Sequence, residues 1–393
     1  MNYKLLFLGL LSGSLALTGN SNAQSLERYR KLKDTVIVSQ KLGYNKRAEI
    51  IVPAEYQNGV KQNFPLIIVF DKQNQRNYKF ILSTIDYLTA TEQMPSSVII
   101  GVDAGPGSKR YLETQLSISD SAGLGEKNDA FIFKELIPMA RNEFKASRFT
   151  ALIGHSRYGY FTTYLLTRHL RELNAVIAMS PFLEQKKVNL SDSLVASTNA
   201  ARLPHNVFFR YSVGNDYPQV GENLKAAKRS GQFKNSRFNI SGWSFPQADH
   251  MVTPGLTISQ SLYDVFENWL ANQNKYMQMP KIDQQVTNSF NNAVKEHYGV
   301  SIPFSIGSLN GKGWSYYNEK KYTDAVQAWQ NLVNQYPNFA EGYLNIAKAR
   351  QKLKLPTEQA IQQFKASLAT SVIWTAKQKE GLLAEAEELT GGK

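Results

Sequence analysis

The chain has 393 residues, of which 42% are hydrophobic and 20% charged, so its composition is ordinarily globular and its length suffices for two domains. It contains no cysteine, which excludes disulfides, thiolate metal sites and a cysteine nucleophile. The formal net charge of +13 favours anionic surfaces or substrates. The basic residues are nevertheless spread along the chain without the stripe typical of nucleic-acid binding, so no nucleic-acid partner is predicted.

The first 23 residues have the pattern of a signal peptide. An apolar stretch at 5–17 follows the early charge of Lys4, and Ser21 and Ala23 put small residues at the two positions that a signal peptidase reads. The stretch is shorter than the ~20 residues of a membrane-spanning helix. The sequence therefore predicts a signal peptide at 1–23, a periplasmic or secreted protein and no transmembrane segment; an uncleaved N-terminal anchor is the alternative.

Apolar and β-branched runs alternate with segments of helical period between residues 35 and 272. Runs that are apolar throughout are typical of strands buried on both faces. The predicted strands lie at 35–38, 49–52, 65–70, 97–102, 149–154, 175–179, 207–213 and 238–245. The predicted helices lie at 129–144, with Asp129 as the N-cap, at 160–173 and at 256–272. This alternation predicts an α/β fold with a doubly wound, mostly parallel sheet.

The strand pattern stops after residue 272. Residues 276–300 are polar and are predicted to be a linker between a first domain at 24–275 and an all-α domain at 301–393. The helical segment carries a small residue, a tyrosine, an alanine, a large aromatic residue and a proline at the spacings of a ~34-residue helix-pair repeat. These residues are Gly313, Tyr316, Ala325, Trp329 and Pro337. The segment thus resembles a tetratricopeptide repeat.

A second, degenerate repeat unit follows, with Tyr343, Ile346, Ala360 and Phe364 at its packing positions, and a last helix is predicted near 374–389. The resemblance implies a concave surface for a protein or peptide partner. The alternative is a generic helical hairpin packed on the first domain, because two repeats are fewer than the ~3 that independent stability usually requires.

The segment at 150–159 carries the clearest chemical signal. An apolar strand runs into Gly154-His155-Ser156, and a segment of helical period follows at once. This strand, turn and helix are the context of a nucleophile elbow, in which a strained turn presents a serine hydroxyl above the edge of the sheet. The small residues Gly154 and Gly159 allow the strand and the helix to approach each other. The sequence therefore predicts Ser156 as a nucleophile.

On these residues the chain resembles the esterase family of α/β hydrolases that includes feruloyl esterases, esterase D and enterobactin-type siderophore esterases. The resemblance covers about 36–270. It rests on Gly154-His155-Ser156, Val69-Phe70-Asp71, Ile99-Ile100-Gly101-Val102 with Arg110 downstream, Met179-Ser180-Pro181 and Asp249-His250. It implies a catalytic acid after the strand that follows Ser-Pro, a histidine after the last strand, and as substrate an acyl ester on a carbohydrate or a siderophore lactone.

The catalytic base is predicted by elimination among five histidines, because only His250 follows the last strand at the carboxyl edge of the sheet. The acid should lie between Ser156 and His250 in the chain. Asp216, directly after an apolar strand, is the predicted acid, and Glu222 is the alternative. Asp249 is predicted to be a loop residue.

Two backbone amides, those of Arg157 and of the loop that begins at Lys72, are predicted to form the oxyanion hole. Tyr158 and Lys72 stand where the family usually has glycine. They keep open an alternative function, a catalytically weakened hydrolase-like scaffold that acts through the helical repeats. The side chains of Arg157 and Tyr158 either line the site or pack on the helix.

No cofactor is predicted. The chain has no His, Asp and Glu cluster at metal-ligand spacing, and the glycine-rich segment 101–107 lacks the lysine and the following helix of a phosphate-binding loop. The prediction from sequence is therefore an exported serine esterase that works through an acyl-enzyme on a small-molecule or carbohydrate ester.

Overall fold

The structure is a computed structural model that describes residues 26–56, 63–371 and 374–390. The predicted signal peptide at 1–23 lies outside the described residues. Among the helices of the described part, none combines the length and the apolarity that crossing a membrane requires.

An eight-stranded sheet forms the centre of the first domain. Its strands are β1 (Tyr29–Ser39), β2 (Tyr44–Pro53), β3 (Phe64–Phe70), β4 (Val98–Val102), β5 (Ala146–His155), β6 (Ala175–Met179), β9 (Val207–Val213) and β10 (Phe238–Ser244). They lie in the order β1-β2-β4-β3-β5-β6-β9-β10. The β1–β2 and β2–β4 pairs are antiparallel and the other pairs are parallel. The predicted fold class is confirmed, and each of these strands overlaps a predicted one.

Helices and one small hairpin fill the connections. The hairpin is β7 (Glu184–Gln185) with β8 (Val188–Asn189). The helices up to the end of the sheet domain are α1 (Gln75–Ala90), α2 (Lys109–Leu112), α3 (Gly125–Phe131), α4 (Ile137–Glu143), α5 (Arg157–Arg168), α6 (Leu190–Ala200), α7 (Pro218–Arg229) and α8 (Thr253–Gln278). A π-helical turn, Ile132–Leu136, joins α3 to α4.

The sheet is buried on both faces, which explains the unbroken apolar runs. Alternate residues of β3 point to opposite sides: Ile67 and Val69 pack with α1 and α8, whereas Leu66, Ile68 and Phe70 pack with α3, α4 and α5. All seven residues of β3 are buried. This two-sided covering is what a parallel sheet requires.

The prediction that Asp129 caps a helix is not met. The helix begins earlier, at Gly125, so Asp129 lies inside it, where the amides of its neighbours already have helical partners. Its carboxylate instead accepts hydrogen bonds from Arg168 Nε (3.0 Å), in the last residue of α5, and from Nε2 of the following His169 (2.7 Å). Asp129 therefore joins α3 to α5, which lie on the same face of the sheet.

The segment predicted as a linker is a packed helix. Helix α8 continues to Gln278, and α9 (Gln284–Tyr298) follows after five residues. Tyr298 is fully buried, its ring lies 5.8 Å from that of Phe149, and its hydroxyl donates to the carbonyl of Val265 at 3.0 Å. The polar composition of 276–300 reflects the exposed face of an amphipathic helix, not a free connection.

Five helices follow, as the helical pattern predicts: α10 (Ile306–Asn318), α11 (Tyr322–Gln335), α12 (Ala340–Lys352), α13 (Glu358–Thr370) and α14 (Ala376–Thr390). Successive helices pack on one another, and a Cβ at Gly313 would lie 2.2 Å from the Trp329 indole nitrogen, so this position needs glycine. The assignment to the tetratricopeptide family stays a prediction.

The helical region shares a hydrophobic core with the sheet domain. One continuous cluster of buried side chains runs from the α1 and α8 face of the sheet to α13 and α14. Lys312 on α10 donates to the carbonyls of Met277 (2.9 Å) and Met279 (2.5 Å) at the end of α8. The tail is therefore docked on the first domain, as the packed-hairpin alternative expects.

Candidate active site

Ser156 occupies a sharp turn between β5 and α5 at the carboxyl edge of the sheet. Its backbone has φ 59° and ψ −120°, a conformation that residues with a side chain rarely adopt. A Cβ at Gly154 would lie 2.3 Å from the carbonyl oxygen of Tyr158, so only glycine allows the strand and the helix to come this close. The Ser156 amide donates to Met179 O at 2.8 Å, which ties the turn to the neighbouring strand.

Asp216 and His250 meet beside this turn. Asp216 follows β9 and His250 follows β10, and His250 Nδ1 lies 2.5 Å from Asp216 Oδ2. The Gly214 amide donates to the other carboxylate oxygen at 3.1 Å. Burial by itself raises the pKa of Asp216, but the hydrogen bonds from His250 and the backbone outweigh it, and the net pKa is lowered. Asp216 is therefore held as a carboxylate.

The hydrogen bond to Asp216 also defines the tautomer of His250. A carboxylate only accepts, so the proton of the neutral imidazole is on Nδ1. In the part of the chain that the structure describes, His250 Nε2 has no hydrogen-bond partner. The ring thus has an unprotonated nitrogen available for a proton from an attacking hydroxyl.

Glu222, the alternative acid, lies elsewhere. Its side chain is exposed on α7 and forms an ion pair with Lys225 at 3.4 Å. Asp249 accepts from the amides of Met251 (2.8 Å) and Val252 (3.1 Å) and closes the turn before α8, in agreement with its predicted loop role. Asp216 is thus the one of these carboxylates that contacts His250.

Two further residues at the site were not predicted. Ser180, fully buried after β6, has its hydroxyl 2.8 Å from that of Thr253 and 3.5 Å from Asp216 Oδ1. His155 contacts the loop of the candidate catalytic histidine: its Nε2 lies 2.8 Å from the His250 carbonyl oxygen. The Ser-Pro after β6 was the only sequence signal for Ser180, and none identified the contact of His155.

The amide of Lys72 is not available as an oxyanion donor. It donates to Val102 O at 3.0 Å, which extends the pairing of β3 with β4, so the predicted role of Lys72 is corrected. In the described residues the next amide, that of Gln73, has no acceptor. The Arg157 amide is the first of α5 and lacks an acceptor within its helix, as the predicted oxyanion role requires.

Tyr158 does not line the site. It is 1% exposed, its ring stacks on Phe70 with centroids 5.2 Å apart, and its hydroxyl donates to Glu113 Oε2 at 3.0 Å. The elbow accommodates a tyrosine because the side chain enters the core beneath the turn.

Glu113 is the centre of a buried polar cluster that the sequence did not reveal. Lys46 Nζ donates to the Glu113 carboxylate at 2.7 Å, and the Tyr44 hydroxyl donates to the same carboxylate at 2.5 Å. Both Lys46 and Glu113 are almost completely buried. Burial lowers the pKa of Lys46, although the carboxylate opposes this. The cluster anchors the 109–116 segment to β2 and, through Tyr158, to the elbow.

An open cleft of about 670 Å³ lies along the loops that follow β3 and β4. Two of its lining residues, Gln73 and Arg110, donate hydrogen bonds to the Asp71 carboxylate. The remaining lining residues are Val36, Asn45, Arg47, Asp103, Ala104, Gly105, Pro106 and Gly107. Ser156, Asp216 and His250 do not line this cleft.

Several solved structures share this fold. An IroE-like serine hydrolase from Shewanella oneidensis is 15% identical, with a TM-score of 0.60, covering 79% of this chain and 100% of that chain. An uncharacterised protein from Capnocytophaga ochracea is 13% identical, with a TM-score of 0.58, covering 91% and 99%. The BES protein from Bacillus cereus is 17% identical, with a TM-score of 0.51, covering 63% and 99%. No curated protein matches the chain.

The family described as "Putative esterase" matches residues 39–255, which is more than half of the chain and spans Ser156, Asp216 and His250. The match agrees with the predicted resemblance and with the observed sheet. The chain belongs to this esterase family and is an esterase-type hydrolase.

Proposed function

We propose that this protein is a serine esterase that hydrolyses an acyl ester through a covalent acyl-enzyme. One observation carries the proposal: a serine on a strained turn lies at the same sheet edge as a histidine bonded to a carboxylate, in the chain order Ser156, Asp216, His250. The structural neighbour from Shewanella oneidensis is an IroE-like serine hydrolase, which agrees with this chemistry.

In the proposed reaction Ser156 Oγ attacks the ester carbonyl while His250 Nε2 takes its proton. The carbonyl oxygen becomes an oxyanion that the Arg157 amide stabilises, with the Gln73 amide as the second donor in place of Lys72. His250 returns the proton to the leaving alcohol, and an acyl-Ser156 ester remains. Water, deprotonated by His250, then releases the acid and restores the serine.

The proposed substrate is a carbohydrate ester or a siderophore lactone, the classes that the family resemblance implies. An aromatic rim supports a substrate with an aromatic group: the Tyr217 ring lies 6.0 Å from His250 and 6.1 Å from Phe182. The signal-peptide pattern at 1–23 supports export to the periplasm or the exterior.

Labelling with a fluorophosphonate probe tests the reaction type. We expect one adduct, mapped by peptide mass spectrometry to Ser156, and no adduct on the Ser156→Ala variant. An adduct on another serine would transfer the role of nucleophile. No labelling of a folded protein would favour the alternative of a hydrolase-like scaffold.

A further inference from the structure

The side chain of Arg157 is held rigidly beside the nucleophile. Its Nε donates to Thr114 Oγ1 at 3.0 Å, and its Nη2 donates to Gln115 Oε1 at 3.3 Å and to Tyr111 O at 3.4 Å. Its guanidinium lies 3.9 Å from the centre of the Tyr111 ring. The side chain is only partly exposed. These contacts use Nε and Nη2 and leave Nη1 for another acceptor.

All the acceptors that hold Arg157 are neutral. Within 26–56, 63–371 and 374–390, no aspartate or glutamate forms an ion pair with it. Its neighbour Arg110, in contrast, is neutralised by Asp71 at 2.6 Å. Burial lowers the pKa of Arg157, which reflects the cost of a partly desolvated charge. Such a charge is ordinarily paired, so a partner anion from outside the chain fits here.

The guanidinium belongs to the rim of the active site. It lies 5.7 Å from the ring of Phe182, which contacts Tyr217, which in turn contacts His250. Arg157 and His250 are thus at two ends of one row of aromatic side chains. Gln115 also donates to Gln185 Oε1 at 2.8 Å, which joins the loops on either side of Arg157. A ligand that spans the row would contact the base and the cation together.

We propose that Arg157 binds an anionic group, of the carboxylate type, on the ester substrate. The Nη1 group would donate to this anion while the row of aromatic rings carries the part of the substrate between the anion and the ester. Hydrogen bonds to charged groups contribute about tenfold or more to affinity. The proposal rests on the proposed esterase function, whose substrate it narrows to acidic esters.

Two matched pairs of esters test the proposal. The p-nitrophenyl esters of para-carboxybenzoic acid and para-carbamoylbenzoic acid differ in charge on the acyl side; para-acetoxybenzoate and para-acetoxybenzamide differ on the leaving side. We expect the native protein to prefer the acidic member of at least one pair by about tenfold in kcat/KM, mainly through KM. Arg157→Gln should remove this ratio, and Arg157→Lys should retain part of it. Arg168→Gln, which removes a positive charge at the far end of α5, should leave it unchanged.

A binding measurement separates this proposal from the proposed reaction. The anilides of the same two acids cannot be hydrolysed as esters, and their binding is measured by calorimetry on the native protein and on Arg157→Gln. Tighter binding of the acidic anilide that is lost in Arg157→Gln supports the anion site even if no turnover is found. Absence of a charge preference in both ester pairs and in the anilides, or a charge ratio that survives in Arg157→Gln, overturns it and leaves Arg157 as a residue that holds the 109–116 segment.

Discussion

His155 Nε2 donates a hydrogen bond to the backbone carbonyl oxygen of His250 at 2.8 Å. A carbonyl oxygen only accepts, so the His155 proton is on Nε2, and Nδ1 accepts from Asn77 Nδ2 at 3.5 Å. The two imidazole rings lie 4.6 Å apart. His155, which precedes the proposed nucleophile, therefore holds the loop that carries the proposed general base, and its imidazole is neutral.

This contact predicts a pH dependence of stability. Burial lowers the pKa of His155 to about 4, below the ordinary value of 6.5 that the unfolded chain regains. Between these values the unfolded state binds more protons, so the stabilisation is complete above pH 6.5 and is lost as the pH falls towards 4. We expect the free energy of unfolding of the native protein to fall by up to about 3 kcal/mol more than that of His155→Gln over this range.

Urea unfolding of both proteins at pH 7 and pH 4.5 measures this difference. Glutamine keeps an N–H donor but does not titrate, and His297, whose pKa burial also lowers, is present in both proteins. Equal losses in the two proteins would show that His155 does not stay neutral on folding.

Asp216→Asn should lower turnover far more than Glu222→Gln. The asparagine amide donates as well as accepts, which favours the wrong imidazole tautomer and removes the charge opposite the imidazolium, at a cost of up to about ten-thousandfold in kcat. Glu222 is exposed and paired with Lys225, so its loss should change kcat little. The two rates on a p-nitrophenyl ester decide the assignment, and the reverse ranking would move the acid to Glu222.

Ser156→Ala and Ser156→Gly should both lose turnover of a p-nitrophenyl ester by at least about a thousandfold, but they should differ in stability. At φ 59° and ψ −120° alanine keeps the strain of the native turn, whereas glycine does not. We expect the free energy of unfolding of Ser156→Gly to be about 1 kcal/mol higher than that of Ser156→Ala. Equal free energies of unfolding would mean that the turn is not strained in solution.

Tyr158→Phe should destabilise the protein by about 1–3 kcal/mol, because it removes one of the donors to the buried carboxylate of Glu113. Tyr160→Phe is the matched control, since the buried Tyr160 hydroxyl has no hydrogen-bond partner in the described residues. We expect this control to be neutral or slightly stabilising in the same urea measurement. A large loss in both variants would point to ring packing and not to the hydrogen bond.

Truncation after Asn272 should give an aggregating protein. The cut falls inside α8 and removes Tyr298 and the Pro303 carbonyl, which accepts from the buried Trp269 indole at 3.0 Å. The uncovered apolar face would then drive association. Truncation after Thr370 removes little more than α14, whose only buried residue is Ala386, and should leave a soluble, active protein. Light scattering and ester turnover measure both outcomes, and a soluble protein ending at Asn272 would contradict the shared core.

Local patterns in the sequence were enough to predict the sheet and the turn that carries Ser156. The strands of the large sheet are recognisable in the sequence as apolar runs because a parallel sheet is buried on both faces. Ser156 is recognisable because the strand, the turn and the helix around it are adjacent in the chain. Asp216 and His250 could be predicted because the carboxyl ends of parallel strands meet at one edge.

Other features depend on contacts between residues far apart in the chain, which no local pattern records. Glu113 looks like an ordinary helix residue until folding surrounds it with Tyr44, Lys46 and Tyr158. The Lys72 amide pairs with β4 and is therefore not available at the site. The polar sequence of α9 predicts a linker because its few buried side chains fill a core made by distant strands. Burial and pairing of this kind are properties of the tertiary packing, and they decide which amides, charges and rings remain available at the site.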